Sequence, residues 1–288
     1  MTNRPSAMPR RDIAASPARR LGPEDAALFD EQVVPRYLSL FGERMLAMLA
    51  EGPDARACHL GCRTGYPDRD LIAKLPGVHV HGCDPSEHAI ARARRNAAGV
   101  TGLVADYRVV DPAAPLPYPN GAFSHAFTLH PLAAPEERRR MLEELGRVVA
   151  PRGQALVAMP LRGSFLEIAD LLRECALKHE LSELTDAVEA AAQLRPTDEM
   201  IAKELAGVGF EFVDVDVRPR TLKFDSGRAF FEDPATRLLL LPEFRVNLAM
   251  EDVERPFSYV RSAIDKYWSD APFELTVHVG CVSGRRKP

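Results

Sequence analysis

The residues Leu60-Gly61-Cys62-Arg63-Thr64-Gly65 follow directly on a short apolar run, Ala57–Leu60, and a helix is expected after them at about Tyr66–Leu75. A glycine turn between strand and helix lets backbone N–H groups and a helix N-terminus approach a ligand closely. Asp84 stands 23 positions after Gly61, at the end of the next apolar run, Val78–Cys83. A carboxylate there can accept hydrogen bonds from both hydroxyls of a ribose. Turn and acid together predict a nucleoside-containing ligand; the plainer alternative is a tight turn and a helix-capping Asp before Pro85. His130 ends another apolar run, Phe123–Leu129. Its imidazole can titrate near neutral pH and is the candidate general base; the alternative is a loop-end histidine packed on Pro131 and Leu132. Cys58, His59, Cys62, His79, His81 and Cys83 crowd two neighbouring runs and could in principle bind zinc. No C-x2-C pair exists, and Cys58 faces opposite to His59, so these read as buried thiols and strand histidines with no metal.

These residues need elements to position them. The candidate strands are Ala57–Leu60, Val78–Cys83, Tyr107–Val110, Phe123–Leu129 and Gln154–Met159, with the clearest helix at about Pro135–Val149. Strands alternating with helices predict βαβ units, hence a mostly parallel sheet covered on both faces. Ahead of them, Phe29, Val33, Val34, Tyr37, Leu40 and Phe41 recur at helical spacing, and Pro35 predicts two helices or a kink. After Pro160 come a helix through Phe165, Ile168, Leu172 and Cys175, a second over about Leu181–Leu194, and a third N-capped by Thr197. Phe212–Val217 alternates Val with Asp, as an edge strand does. Residues 219–271 form an excursion containing Pro and aromatic residues, in which Leu238–Leu241 with Pro242 and Phe244 could line an apolar pocket, meet a partner or simply form core. A final alternating strand begins at Phe273 and suits antiparallel pairing. Arg138-Arg139-Arg140, set among Glu136, Glu137, Glu143 and Glu144, reads as a solvated helix face.

Composition narrows the function classes. The 288 residues are 46% hydrophobic and 27% charged, which excludes wholesale disorder. A net charge of -4 argues against a nucleic-acid binder driven by bulk charge. No apolar run approaches the roughly 20 residues that span a bilayer, so a soluble chain without a membrane partner is expected. Five cysteines, an odd number, fit free thiols in a reducing cytoplasm. The first 20 residues hold five arginines and one acid among prolines and small residues; a disordered tail is expected, with an organelle transit peptide as the alternative.

The stretch from Ala57 to Met159 resembles the class I S-adenosylmethionine-dependent methyltransferases of the small-molecule, type 11 kind. The landmarks are His59-Leu-Gly-Cys-Arg-Thr-Gly65, Gly82-Cys-Asp-Pro-Ser86, Asp111 with Leu116-Pro-Tyr-Pro-Asn-Gly-Ala-Phe123, Leu129-His130-Pro131-Leu132, and Leu145-Gly-Arg-Val-Val-Ala-Pro-Arg-Gly153. The resemblance implies a Rossmann-like, seven-stranded, mostly parallel sheet with helices on both faces, an antiparallel last strand and a helical lid. It divides the chain into a tail (1–22), N-terminal helices (23–53), a cofactor-binding core (54–160), helices with the sixth strand and lid (161–271), and a final strand and tail (272–288). Carried over, S-adenosylmethionine would lie with its methionine part against Gly61 and Gly65, within the stretch His59 to Gly65 that includes Cys62 and Arg63. Its ribose would meet Asp84, its adenine Cys83 and Pro85, with Asp111 near the adenine amino group. Leu129 and His130 would face the sulfonium, and Tyr37 would cover the cofactor.

Four positions depart from that pattern. His59 replaces the acid two positions before the first glycine, and Arg63 replaces the middle glycine of the turn; Ser124 and Arg152 are structural departures. Arg63 could obstruct the close backbone approach, swing outward, or pair with the cofactor carboxylate. Two readings therefore stand: a methyltransferase acting on a small, apolar molecule, or a catalytically silent member of the fold that binds a ligand or protein partner. A dinucleotide-dependent oxidoreductase comes third, because the final strand and the Phe123 region do not suit it.

Overall fold

The computed structural model describes residues 20–110, 114–131 and 134–288. Seven strands form one sheet in the order β3-β2-β1-β4-β5-β7-β6. They are β1 (Arg56–Leu60), β2 (His79–Asp84), β3 (Val104–Val109), β4 (Phe123–Leu129), β5 (Val149–Pro160), β6 (Phe210–Phe224) and β7 (Phe273–Arg286). Strands β1 to β5 pair in parallel, and β7 inserts antiparallel between β5 and β6. The fold class read from the sequence is therefore the fold observed. Strand order reverses between β1 and β4, so their carboxyl ends flank the crevice where open α/β sheets bind ligands.

Successive strand residues point to opposite faces, and the core divides accordingly. Leu156 and Ala158 of β5 join a large cluster with Phe29, Tyr37, Phe41 and the lid residues Leu240, Phe244 and Ile264. Ala155, Val157 and Met159 join a second cluster with Leu142, Leu145, Ile201 and Leu205 on the other face. The flanking helices are α1 (Pro23–Leu28), α2 (Ser39–Met48), α3 (Glu87–Ala97), α4 (Pro135–Val148), α5 (Leu166–Lys178), α6 (Ser182–Ala192), α7 (Asp198–Gly207), α8 (Gly227–Glu232), α9 (Leu241–Leu248) and α10 (Glu254–Tyr267).

Several expectations are corrected here. The stretch after the glycine turn is no α-helix but a short 3-10 helix, Asp68–Ala73. Asp68 is drawn inward to bond His59 and Tyr107 beneath the sheet end, which ties down the first turn. Pro35 causes no break: α1 and α2 are joined by a π-helical segment, Phe29–Leu38, whose wider turn accommodates the missing N–H. Strand β6 runs on to Phe224, paired with β7 as far as Phe273, so the excursion after Val217 begins as strand and continues as helices. Phe212, 82% exposed, sits at a bulge in β6. Arg138 does not belong to a solvated face. It is 1% exposed, because α4 packs on α7 and its guanidinium forks onto Glu204 at 2.6 and 2.8 Å and reaches Leu194 O. Arg139 and Arg140 remain exposed. Leu240 and Phe244 are buried in the large core cluster, so this run forms core. No helix among the described residues is long and apolar enough to cross a membrane. All five cysteines are free and buried.

Candidate active site

Gly61 and Gly65 adopt left-handed backbone at φ +65° and +88°, and they turn the chain at the end of β1. A side chain at Gly65 would crowd the Tyr107 hydroxyl and Ala93, which holds that position to glycine. Arg63 takes the same left-handed region, φ 47°, as does His130 at φ 48°. For side-chain-bearing residues this is strained backbone, and two of the eight such residues among the described ones lie where β1 and β4 end.

Asp84 closes β2 with its carboxylate aimed under the turn. Oδ2 accepts from Arg63 N–H at 3.0 Å and Oδ1 from Ser86 N–H at 2.9 Å. Burial pushes its carboxyl above the usual carboxylate range, opposed by these two bonds and by the Arg63 charge. A carboxylate offers about four acceptor positions, and two remain for ribose hydroxyls. Thr64 Oγ1, buried in the same turn, has no partner. At this end the residues present fit the ribose of S-adenosylmethionine.

Arg63 reaches from the glycine turn to the end of β4. Its guanidinium donates to Leu129 O at 2.8 Å and His130 O at 2.9 Å, and its Cζ lies 5.7 Å from the Phe29 ring centroid. A ligand ammonium lying against the glycine turn would need carbonyl acceptors at this strand end, and the guanidinium is already bonded to two of them. In this conformation the guanidinium is committed to the end of β4.

The other expected positions are spread around this centre. His59 is buried, stacked on Phe127 with ring centroids 4.4 Å apart, and its Nδ1 lies 2.7 Å from Asp68 Oδ1. Asp68 Oδ2 accepts from the Tyr107 hydroxyl at 2.8 Å. Tyr107 crosses β2 at Gly82, where a Cβ would come within 2.4 Å of its ring. Cys62 donates its N–H to Cys83 O, while its side chain packs with Ile90, Ala93 and Tyr107. Cys83 Sγ lies 3.4 Å from the Tyr118 hydroxyl, and Pro85 is half-buried beside it. Asp111 and Leu132 lie outside the described residues. Tyr37 meets His130: its hydroxyl is 2.8 Å from Nε2, and Phe41 packs edge-on against both rings. Burial holds the His130 imidazole well below its usual pKa, with Arg63 and Arg195 adding to the effect, and holds the Tyr37 phenol well above its own. Both are neutral near pH 7, and the phenol donates to Nε2 when the ring proton sits on Nδ1. To act as a base, His130 would first have to release Tyr37.

Sequence reasoning missed Asp68, Tyr107 and Phe29. Asp68 was open to discovery, since a carboxylate nine positions after His59 restores an acid beside the residue that had replaced one. Phe29 and the two carbonyls gave no signal, because their roles depend only on where the chain passes. Among the described residues, no group of three or more His, Cys, Asp or Glu side chains is placed to hold a metal ion.

Residues 57–153 match the family model of a methyltransferase domain. A malonyl-[acyl-carrier protein] O-methyltransferase of Halorhodospira halophila is 29% identical over 60% of this chain and 58% of its own length. A trans-aconitate 2-methyltransferase of Methylobacterium nodulans is 31% identical over 43% of this chain and 48% of its own. The chain thus spans about half the length of these curated relatives. In fold, it superposes on a candidate methyltransferase of Bacillus halodurans with a TM-score of 0.55 at 14% identity, covering 86% of this chain and 99% of that one.

Proposed function

We propose that this chain, built on the class I methyltransferase fold, transfers a methyl group from S-adenosylmethionine to a small-molecule acid. The observation that carries the reading is the buried Asp84 carboxylate, set at the end of β2 under a glycine turn with acceptor positions to spare. The family match over residues 57–153 supports it. Both relatives bear the names of acceptors that contain carboxyl groups, which supports an acid as substrate.

When bound, the cofactor supplies an electrophilic methyl on a sulfonium, already a good leaving group. The chain's residues then have three tasks. Asp84 and the Gly61–Gly65 turn bind and orient the nucleoside. Phe29, Tyr37 and Phe41, fully buried, exclude water from the end of β4. Arg63 must leave Leu129 O and His130 O, and its freed guanidinium is then available to a carboxylate. An ionised acid is already a nucleophile, so no residue need remove a proton. His130 would act as a general base only for an acceptor that carries one.

A second reading rests on Arg63. If the guanidinium never leaves, the fold is a binding module acting through a ligand or partner. The two readings separate in one assay: the chain is incubated with S-adenosylmethionine and a panel of small mono- and dicarboxylic acids, and S-adenosylhomocysteine is measured. We expect acid-dependent product from the wild-type chain and none from Asp84→Ala. Absence of product with every acid, alongside no cofactor binding, would favour the second reading.

A further inference from the structure

Strand β6 runs for 15 residues along the outer edge of the sheet, paired among the described residues with β7 alone. No residue from Glu211 to Lys223 is buried. A long open edge offers unpaired N–H and C=O groups to another strand, and folded proteins ordinarily guard it. Here the guard is local. Asp214 Oδ1 accepts from the Val215 N–H at 3.0 Å, and Arg220 Nη1 donates to Pro219 O at 3.2 Å. The Val215 amide therefore points to the open side, and the alternate residues Val217 and Pro219 turn their backbone groups the same way. The sequence around Val217 is a palindrome in charge. Asp214 and Asp216 precede it, and Arg218 and Arg220 follow, at alternate positions and so on one face. On the other face Val215 and Val217 lie half-buried against the second core cluster. Phe212, at the bulge, is 82% exposed at φ 50°, a strained and solvated position for a large apolar side chain.

We propose that this edge binds a second copy of the chain, the two β6 strands running antiparallel about a two-fold axis at Val217. In that register Asp214 lies opposite Arg220 of the partner subunit, and Asp216 opposite Arg218 of the partner subunit. Val217 meets its own counterpart, and Val215 meets Pro219 of the partner subunit. Opposite charges directly across a strand pair stabilise it, and like charges oppose it. Moving the axis to Asp216 or to Arg218 sets like charges face to face, and parallel pairing in register does so at every charged position. The charges thus select one register and one partner. The backbone exchange also balances. Each Val215 N–H passes from Asp214 to the carbonyl of the partner's Pro219, and the released Asp214 and Arg220 side chains pair across the interface. Pro219 lacks an N–H, so its carbonyl alone takes part, while Val217 exchanges both of its backbone groups with its counterpart. Asp216 already holds Arg44 and Arg218 of its own chain, at 3.4 and 3.1 Å, so Asp214 and Arg220 are the pair that dimerisation adds. Strands β5 and β7 separate β6 from β4, so the pairing does not involve the crevice between β1 and β4. It is independent of the methyl-transfer reading.

Sedimentation equilibrium of the full chain in low salt, across micromolar concentrations, tests the pairing. We expect a reversible monomer–dimer equilibrium that added salt weakens. Asp214→Arg and Arg220→Asp should each weaken it at least about tenfold, because either change sets like charges opposite each other on both sides of the two-fold axis. Both positions are exposed, so the unfolding midpoints should stay near that of wild type. An equimolar mixture of the two variants should dimerise again, since each copy then meets opposite charge at both ends of the pairing. The double variant Asp214→Arg/Arg220→Asp should dimerise on its own. A wild-type chain that is monomeric throughout would overturn the proposal. So would a dimer that ignores both reversals, or one that the mixture fails to restore.

Discussion

At the scale of single residues, the site is a set of exchanges. Arg63 stands where a left-handed turn favours glycine, and its guanidinium offsets that strain with two carbonyl bonds and the Phe29 face. His59 gives up a carboxylate at the end of β1, and Asp68 brings one back beneath it. Tyr37 and His130 each supply the other's buried partner. Tyr37→Phe removes the hydroxyl and orphans Nε2, so we expect a loss of about 1–3 kcal/mol of stability. Urea unfolding would measure it, and an unchanged midpoint would mean that Nε2 has another partner.

At the scale of elements, most of the fold was legible. The apolar runs located all seven strands, and alternation of Val213, Val215 and Val217 with Asp214 and Asp216 marked β6 as the edge it is. Thr197 caps α7 as its type and position predict, accepting from Met200 N–H. What sequence could not show was side-chain direction across elements. Asp68 looked like the first turn of a helix because nothing in the local pattern records Tyr107 approaching over Gly82. Arg138 looked solvated among its acidic neighbours because Glu204, its true partner, lies 66 positions away on α7. Within the candidate site, the position of Asp84 at the end of β2 was readable from the strand pattern, whereas the Leu129 and His130 carbonyls carry no residue signature. Arg138→Met should destabilise the α4–α7 packing by about 2 kcal/mol, less than a fully buried pair would lose because Glu204 is partly hydrated. Thermal unfolding would show it as a clear downward shift; a neutral result would mean that apolar packing alone holds α7 to α4.

At the scale of the whole molecule, buried histidines set the response to acid. Burial lowers the pKa of His81 to about 4, helped by His79 and Arg56 beside it, and it also lowers those of His125 and His130. Each is neutral in the fold below the pH at which it would protonate in the unfolded chain, so the unfolded state binds more protons. Their contribution to stability is complete above about pH 6.5 and is lost as pH falls, for His81 through about pH 4. Asp84, raised by burial, opposes this at the acid end but is one group against three. The melting temperature should therefore be flat from pH 7 to 8 and fall steadily toward pH 5, with a shallower fall in His81→Leu. A flat profile would mean that these rings protonate freely in the folded protein.

The proposed methyl transfer requires the end of β4 to receive an amino-acid tail once Arg63 withdraws. Calorimetric titration of wild type and Arg63→Gly with S-adenosylhomocysteine tests that directly. Glycine relieves the left-handed strain and frees two carbonyls, so the variant should bind about tenfold or more tightly than wild type, and wild type should bind measurably. Weaker binding by Arg63→Gly would mean that the guanidinium grips the ligand instead of standing in for it. No binding by either protein would contradict the assignment of this strand end as a cofactor site.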